Sequence, residues 1–104
     1  MRYVAVYRGG ELASRQRRGL ANASAPESDR YEELIVNPVL LTLVQRRGDI
    51  DCGGARWVVI RYGHFFEFVC AVQGGHVSVG LELDQDPMRL VPAILQVLAA
   101  NGLA

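Results

Sequence analysis

Two histidines and one cysteine lie close together in the second half of the chain, where a metal ion could be imagined. His64 and His76 each fall at a glycine-containing turn, and Cys70 lies between them. Zinc needs three or four ligands in matching geometry, and no helical HxxxH or CxxC spacing supplies them. The pattern therefore predicts no metal site. We expect His64, at a glycine turn, to be either solvated or bonded to the backbone, and His76 to lie at the beginning of a strand.

The two cysteines are candidates for a reactive thiol. Cys70 lies between Val69 and Ala71 in a run rich in phenylalanine, which predicts a small, buried and inert side chain. Cys52 follows Asp51 in a glycine-rich segment and is expected to be the more exposed thiol. Because no CxxC pair and no disulfide framework are present, the cysteine content indicates a reducing cytoplasm. We predict no catalytic cysteine.

The sequence contains no complete calcium-binding or phosphate-binding motif. Asp49 and Asp51 precede Gly53 and Gly54 as in a calcium loop, but the remaining ligands of a 12-residue loop are missing. No GxxxxGK occurs, and no GxGxxG follows a strand, so the glycines are not a phosphate loop. The sequence predicts no catalytic residue, no cofactor and no bound metal.

The composition is that of one globular domain. The 104 residues are 50% hydrophobic and 21% charged, and 11 basic and 11 acidic residues give a net charge of zero. This balance argues against nucleic acid and membrane as partners. All 11 basic residues are arginine, which favours a bacterial source with GC-rich genes. We expect a single cytoplasmic domain over residues 1–104, with no signal peptide.

Apolar runs separated by glycine turns predict five strands, and two amphipathic segments predict helices. The predicted strands span residues 3–8, 11–15, 56–62, 65–72 and 77–83, with a loop over 17–28. A first helix begins at Ser28 and ends at Gly48. At Asn37-Pro38 this helix either kinks or gives way to a new helix capped by Asn37. A second helix begins at Asp86 and ends at Asn101, so the order ββαβββα indicates an α+β fold.

The last predicted strand alternates between apolar and polar or small residues. Val77, Val79 and Leu81 fall on one face, and Ser78 and Gly80 fall on the other. Such alternation is typical of an antiparallel sheet with one face in solvent. We therefore expect the helices to cover only the apolar face.

Three segments resemble the Roadblock/LC7 family of profilin-like domains. They are Gly9-Gly10-Glu11-Leu12-Ala13-Ser14 in the first hairpin, Trp57-Val58-Val59-Ile60-Arg61-Tyr62-Gly63, and Gly75-His76-Val77-Ser78-Val79. The order of elements is similar over nearly the whole chain, although family members usually open with an additional helix. The resemblance implies a five-stranded antiparallel sheet in the order 2-1-5-4-3. It also implies a homodimer formed by pairing the edges of the third strand.

The residues themselves favour the same dimer. The third predicted strand, residues 56–62, is apolar on both faces, and an edge of that kind aggregates when it is exposed. In residues 39–44 five of six side chains are apolar, which is wider than one core-facing stripe. The predicted dimer interface consists of Leu40, Leu43, Val44, Arg47, Arg56, Trp57, Val58, Val59, Ile60 and Arg61.

The resemblance implies a non-enzymatic module that scaffolds or regulates a small Ras-like GTPase or another signalling protein. The residues expected at a partner surface are Arg15, Arg17, Arg18, His64 and Phe65. The alternative function is a profilin-like sensor that holds a small molecule between sheet and helix. The predicted inward residues, among them Phe66, Phe68 and Val77, are sufficient to fill a core of this size, so we expect little cavity.

Overall fold

The computed structural model describes residues 1–103, which form five strands and three α-helices. The strands are β1 (Tyr3–Arg8), β2 (Glu11–Gln16), β3 (Val58–Arg61), β4 (Phe66–Val72) and β5 (Gly75–Leu81). The helices are α1 (Pro26–Tyr31), α2 (Asn37–Asp51) and α3 (Pro87–Ala100), and a π-helical turn (Glu32–Val36) joins α1 to α2. No helix in this range is long and apolar enough to cross a membrane.

The strands form one antiparallel sheet in the order β2-β1-β5-β4-β3. The predicted α+β class and strand order are confirmed. The first hairpin turns on Gly9 and Gly10, whose φ angles of 58° and 81° suit a two-residue connection. At the other side of the sheet, β3 pairs only with β4, so one edge of β3 has no partner strand within residues 1–103.

The hydrophobic core lies between one face of the sheet and α3. Its buried members are Phe68, Cys70, Val77, Val79, Leu81, Val91 and Leu98. The predicted alternation of β5 places its apolar residues on this face, and Phe66 and Val72 of β4 pack against the same cluster. Asp86 begins α3 by accepting a hydrogen bond from the Met88 N–H at 3.0 Å, which satisfies one of the free donors of the first turn.

The opposite face of the sheet is not solvated, and that expectation was wrong. The π-helical turn and α2 cover it, so Ser78 is 0% exposed and His76 is 2% exposed. The alternation along β5 indicates which side chains are polar, but it does not indicate whether they face solvent. Here the polar side chains of His76 and Ser78 bond to Glu33 in the covering helical segment. The sheet is therefore enclosed by helices on both faces, and one of its two interfaces is polar.

The first helix passes through Asn37-Pro38 without ending. The backbone widens into the π-helical turn just before this point, and the Asn37 N–H bonds to the Glu32 carbonyl. Pro38 has no N–H to donate, and its ring needs space beside the preceding turn, which the wider turn provides. The Asn37 side chain forms no cap at this junction. Neither a capped new helix nor a plain kink describes this junction.

Gly48 does not end the helix as predicted, because α2 continues to Asp51. Cys52 follows as the C-cap, and the next residue, Gly53, has the positive φ (75°) typical of a residue just after a helix. Gly48 has a different role. A Cβ atom at Gly48 would lie 2.8 Å from the carbonyl carbon of Gly54, so glycine allows the returning chain to pack directly on the helix.

Four strands differ from the prediction in their bounds, and the first of them, β2, ends one residue later than predicted, at Gln16. Strand β3 is shorter than residues 56–62, so Arg56, Trp57 and Tyr62 lie just outside it. Strand β4 begins one residue later than predicted. Strand β5 begins at Gly75 and ends at Leu81, two residues earlier than predicted at each end, because β4 pairs with it from Val72 opposite Gly75 to Phe66 opposite Leu81.

Gly75 is where the fold tolerates a side chain least. A Cβ atom there would lie 1.7 Å from the Tyr7 carbonyl oxygen of the neighbouring strand. We expect Gly75→Ala to lower the free energy of unfolding by about 1–3 kcal/mol because β1 and β5 must separate locally. Urea denaturation measures this loss. The matched control is Gly63→Ala, where a Cβ atom meets nothing within 4 Å. Equal effects of the two substitutions would contradict the register of β1 on β5.

Candidate functional site

A buried carboxylate, Glu33, organises the polar interface between the sheet and the helices. Its side chain accepts from His76 Nε2 at 2.8 Å and from Asn37 Nδ2 at 3.0 Å on one oxygen. The other oxygen accepts from Ser78 Oγ at 2.6 Å and from the Tyr3 hydroxyl at 3.1 Å. Glu33 is 0% exposed. We call Tyr3, Glu33, Asn37, His76 and Ser78 the Glu33 cluster.

The Glu33 cluster keeps this carboxylate ionised inside the protein. Burial opposes ionisation, but the hydrogen bonds from His76, Ser78 and Asn37 outweigh it and hold the pKa of Glu33 below its ordinary value. An ionised carboxylate only accepts hydrogen bonds, so Nε2 of His76 must carry the hydrogen in their contact. Burial and the neighbouring Glu33 raise the pKa of Tyr3, which keeps its hydroxyl protonated as a donor.

The Glu33 cluster was not predicted from the sequence. His76 was expected at the beginning of a strand, and it is the second residue of β5, but its burial and its contact with Glu33 were missed. Two signals were available. Glu33 and Asn37 are four residues apart, which places them on one face of a helix, and His76 and Ser78 are two residues apart, which places them on one face of a strand.

A cavity of about 680 Å³ adjoins the Glu33 cluster, between the 17–25 loop, α1 with the π-helical turn, and the turn from β3 to β4. Its lining is rich in carboxylates and aromatic rings. The acidic residues are Glu27, Asp29, Glu32, Glu33 and Glu67, and the aromatic residues are Tyr3, Tyr31, Tyr62 and Phe65. The expectation of little cavity was wrong because it counted only the apolar side of the sheet. We call this space the acidic cavity.

Glu67 is the least satisfied of the carboxyl groups that line the acidic cavity. It lies on β4, is 2% exposed, and its Oε1 atom has no hydrogen-bond partner. Burial raises the pKa of Glu67 to about 9, with further contributions from the charges of Glu33 and Glu32. At neutral pH its carboxyl group is therefore protonated, whereas Glu33 beside it is ionised.

Three other polar side chains of the acidic cavity, Tyr62, Glu32 and Arg2, have hydrogen-bond partners. The Tyr62 hydroxyl donates to both oxygens of Glu32 at 2.9 and 3.1 Å. Arg2 is 7% exposed and donates to Glu82 at 2.9 Å and to the Ala21 carbonyl at 3.1 Å. Its guanidinium lies 5.3 Å from the centroid of the Phe65 ring. The charge of Arg2 is thus already balanced by Glu82, which lies outside the cavity lining.

The residues predicted for a partner surface fall in two places. His64 is exposed, Phe65 is half-buried, and both line the acidic cavity at the turn from β3 to β4. Arg15, Arg17 and Arg18 are exposed at the end of β2 and beyond it, and none of them lines the acidic cavity. Arg17 lies 3.6 Å from Glu82.

The residues predicted for a dimer interface lie on α2 and along β3. Leu43 is 62% exposed, Leu40 and Val44 are half-buried, and Arg47 is exposed and forms an ion pair with Asp51 at 2.6 Å. Around β3, Arg56 and Arg61 are exposed, whereas the residues between them are half-buried: Trp57, Val58, Val59 and Ile60.

Large apolar side chains follow the outward face of the long helical segment. Ile35, Val39 and Leu43, at a spacing of four residues, are 51%, 54% and 62% exposed. Tyr31 and Ile50 extend the same face at either end and are also exposed. A shallow groove of about 220 Å³ is lined by Pro38, Val39, Thr42 and Leu43. We call Tyr31, Ile35, Val39, Leu43 and Ile50 the outer row.

Within residues 1–103, the candidate metal ligands do not come together, and the two cysteines are not paired. No group of three or more His, Cys, Asp or Glu side chains in this range is placed to hold a metal ion. Cys70 is buried as predicted, and burial raises the pKa of its thiol. Cys52 is exposed, also as predicted, and both thiols are free.

The fold and the site together define a three-layer α+β domain with a polar interface, an acidic cavity and an exposed apolar helix face. Comparison of the chain with protein-family models, with curated proteins and with solved structures found no match. The contacts described above are therefore the basis for proposing a function.

Proposed function

We propose that this chain is a non-enzymatic interaction module that works as a homodimer. The outer row carries the proposal. Three large aliphatic side chains, Ile35, Val39 and Leu43, are more than half exposed along two turns of one helix. A contiguous apolar patch of this kind marks an interaction surface in a soluble domain. A second copy of the chain offers a patch of the same chemistry.

The unpaired edge of β3 supports the same partner. A strand with a free edge and few charges invites pairing with another strand, and a two-fold axis joins identical edges without leaving either one open. Val58, Val59 and Ile60 lie in the middle of this edge strand. We propose that these residues and the outer row together form the dimer interface; stable complexes commonly bury roughly 1,600 Å² in total.

Matched charge substitutions test the homodimer. We expect Val39→Glu to shift the chain from dimer to monomer, measured by light scattering during size-exclusion chromatography, because it places a carboxylate in the middle of the outer row. The control is Val97→Glu on α3, at a valine that is 61% exposed compared with 54% for Val39. The proposal fails if the unsubstituted chain is a monomer, or if both variants dissociate the dimer equally.

The proposed partner of this dimer is a small Ras-like GTPase or another signalling protein of the bacterial cytoplasm. This partner class is supported by the resemblance to Roadblock/LC7 domains, and the sheet order has the form that the resemblance implies. Two free cysteines are in keeping with a reducing compartment. Affinity purification from the native host tests the class. A GTPase should be enriched on the unsubstituted chain and lost on Val39→Glu, and recovery of no protein partner would contradict it.

The acidic cavity favours a second candidate function, a sensor domain for a small molecule. Its volume of about 680 Å³ lies within the 300–1,000 Å³ that is usual for small-molecule sites. It also lies between sheet and helix, bordered by a buried hydrogen-bonded cluster that fixes its floor. Thermal stabilisation of the chain by any member of a metabolite panel would support this function.

A further inference from the structure

The charges around the acidic cavity select the class of ligand. Five carboxyl groups line it, among them the ionised Glu33 and the protonated Glu67, and its basic lining residues are Arg2 and His64. Arg2 is occupied by Glu82 and by a backbone carbonyl. A low-dielectric cleft lined by charge of one sign concentrates ligands of the opposite sign. The acidic cavity therefore favours a cation and disfavours phosphates and carboxylates.

Glu67 supplies the anchor for such a cation. Its Oε1 atom is buried without a partner, and buried polar atoms in folded proteins nearly always have one. A ligand N–H group placed at hydrogen-bond distance would satisfy this atom. A positive charge on that group would also favour the ionised form of Glu67, which burial now disfavours.

The aromatic residues argue for an organic cation. The rings of Tyr62 and Phe65 lie 5.3 Å apart and tilted, and both line the acidic cavity. Aromatic faces attract ammonium and guanidinium groups and also pack against hydrocarbon. Leu20 and Val36 add aliphatic surface to the lining. A bare metal ion is disfavoured because the carboxylates described here do not converge into a coordination group.

We propose that the acidic cavity binds a small organic cation, whose ammonium or guanidinium group bonds to Glu67 and whose apolar body packs against Tyr62 and Phe65. This inference rests on the sensor function proposed above and names its ligand class. It is independent of the homodimer.

Binding of this cation should release a proton. Glu67 is protonated in the free protein at neutral pH, and its carboxyl proton leaves to solvent when the cation binds. Below the pKa of Glu67, the affinity is then expected to increase by roughly tenfold for each unit by which the pH is raised. The groups that face Glu67 are Glu32 and Glu33 from the π-helical turn, Asp29 from α1, Ser78 from β5, and Tyr3 and Tyr62, and His76 bonds to Glu33. A substitution of Glu67 alone therefore distinguishes proton release by Glu67 from proton release by these neighbouring groups.

Three probes with one aromatic ring and different charge test the ligand class. They are phenethylamine, the neutral 2-phenylethanol and the anionic phenylacetate, with agmatine as a guanidinium probe. We expect phenethylamine or agmatine to raise the melting temperature of the full chain and the other two to leave it unchanged. Titration calorimetry in two buffers of different ionisation enthalpy should show release of up to one proton.

Substitutions locate the site. Glu67→Gln, which keeps the shape of the side chain, should weaken cation binding by at least roughly tenfold and abolish proton release. Glu11→Gln, at an exposed glutamate of β2 that does not line the acidic cavity, should change affinity by less than about threefold. Stabilisation by phenylethanol or phenylacetate instead of the amine would overturn the ligand class while leaving the sensor function. No stabilisation by any probe or metabolite would overturn both, and unchanged binding by Glu67→Gln would overturn the anchor.

Discussion

Replacing Glu33 by alanine is expected to lower the free energy of unfolding by about 3–5 kcal/mol. The substitution removes one carboxylate but leaves four donors without an acceptor: Tyr3, Asn37, His76 and Ser78. Each buried donor then bears its own desolvation cost. Because domains of this size have about 5–15 kcal/mol of total stability, the loss is a large part of the whole. Urea denaturation followed by circular dichroism measures it.

A matched control separates this loss from the general effect of removing a glutamate. Glu27→Ala, in the exposed first turn of α1, should change stability by less than about 1 kcal/mol. If Glu33→Ala and Glu27→Ala were equally mild, the hydrogen bonds of the Glu33 cluster would not hold the helices on the sheet.

Replacing Glu67 by glutamine is expected to change how stability depends on pH. The pKa of Glu67 is about 9 in the folded chain, well above the value of 4.5 for a free side chain. Between these two values the folded state holds a proton that the unfolded state has lost, so stability falls as pH rises. The slope for one such group is about 1.4 kcal/mol per pH unit. From about pH 6 to pH 8 Glu67 therefore contributes a loss of about 3 kcal/mol, which Glu67→Gln removes.

Chemical denaturation at several pH values tests this slope. Glu33 does not contribute in this window, because a lowered pKa leaves it ionised in both states. Burial raises the pKa of Glu32 and Asp29 as well, so the comparison must be between the unsubstituted chain and each variant. Glu27→Gln should keep the slope of the unsubstituted chain. Parallel pH profiles for that chain and Glu67→Gln would show that Glu67 is not a buried, protonated carboxyl.

Local patterns in the sequence were sufficient to predict the order of elements. Gly9-Gly10 and Gly74-Gly75 separate apolar runs of strand length, and these turns are local features that do not depend on distant contacts. The strand order came from the resemblance to Roadblock/LC7 domains and is the order observed. Boundaries were less accurate, because the partner strand decides where pairing stops, as β4 does for β5.

The polar interface could not be predicted from periodicity alone. A strand with valines on one face and His76 and Ser78 on the other has the same pattern whether water or Glu33 satisfies the polar side. Which of these applies depends on a residue 45 positions away from Ser78. Gly48 shows the same limitation, since its role is a close approach to Gly54 and not the end of a helix.

The helical segment from Glu32 to Asp51 differs from a simple amphipathic helix, because its buried face is largely polar and its exposed face carries large apolar side chains. Its buried residues are Glu33, Asn37, Leu41 and Gly48, of which only Leu41 is a large apolar side chain. Three other apolar residues of this segment, Ile35, Val39 and Leu43, are more than half exposed on the side away from the sheet. The helix thus joins a polar inner interface to an apolar outer face. This exposed apolar face is the physical basis for proposing that a second copy of the chain packs on the outer row.

Sedimentation equilibrium of the unsubstituted chain tests the homodimer most directly. Over about 1–50 µM, a range that detects dissociation constants near micromolar, the fitted mass should be twice the chain mass of 11.4 kDa. In the same experiment Val39→Glu should give the mass of one chain, and Val97→Glu should give that of two. A single-chain mass for the unsubstituted protein at every concentration would contradict the homodimer.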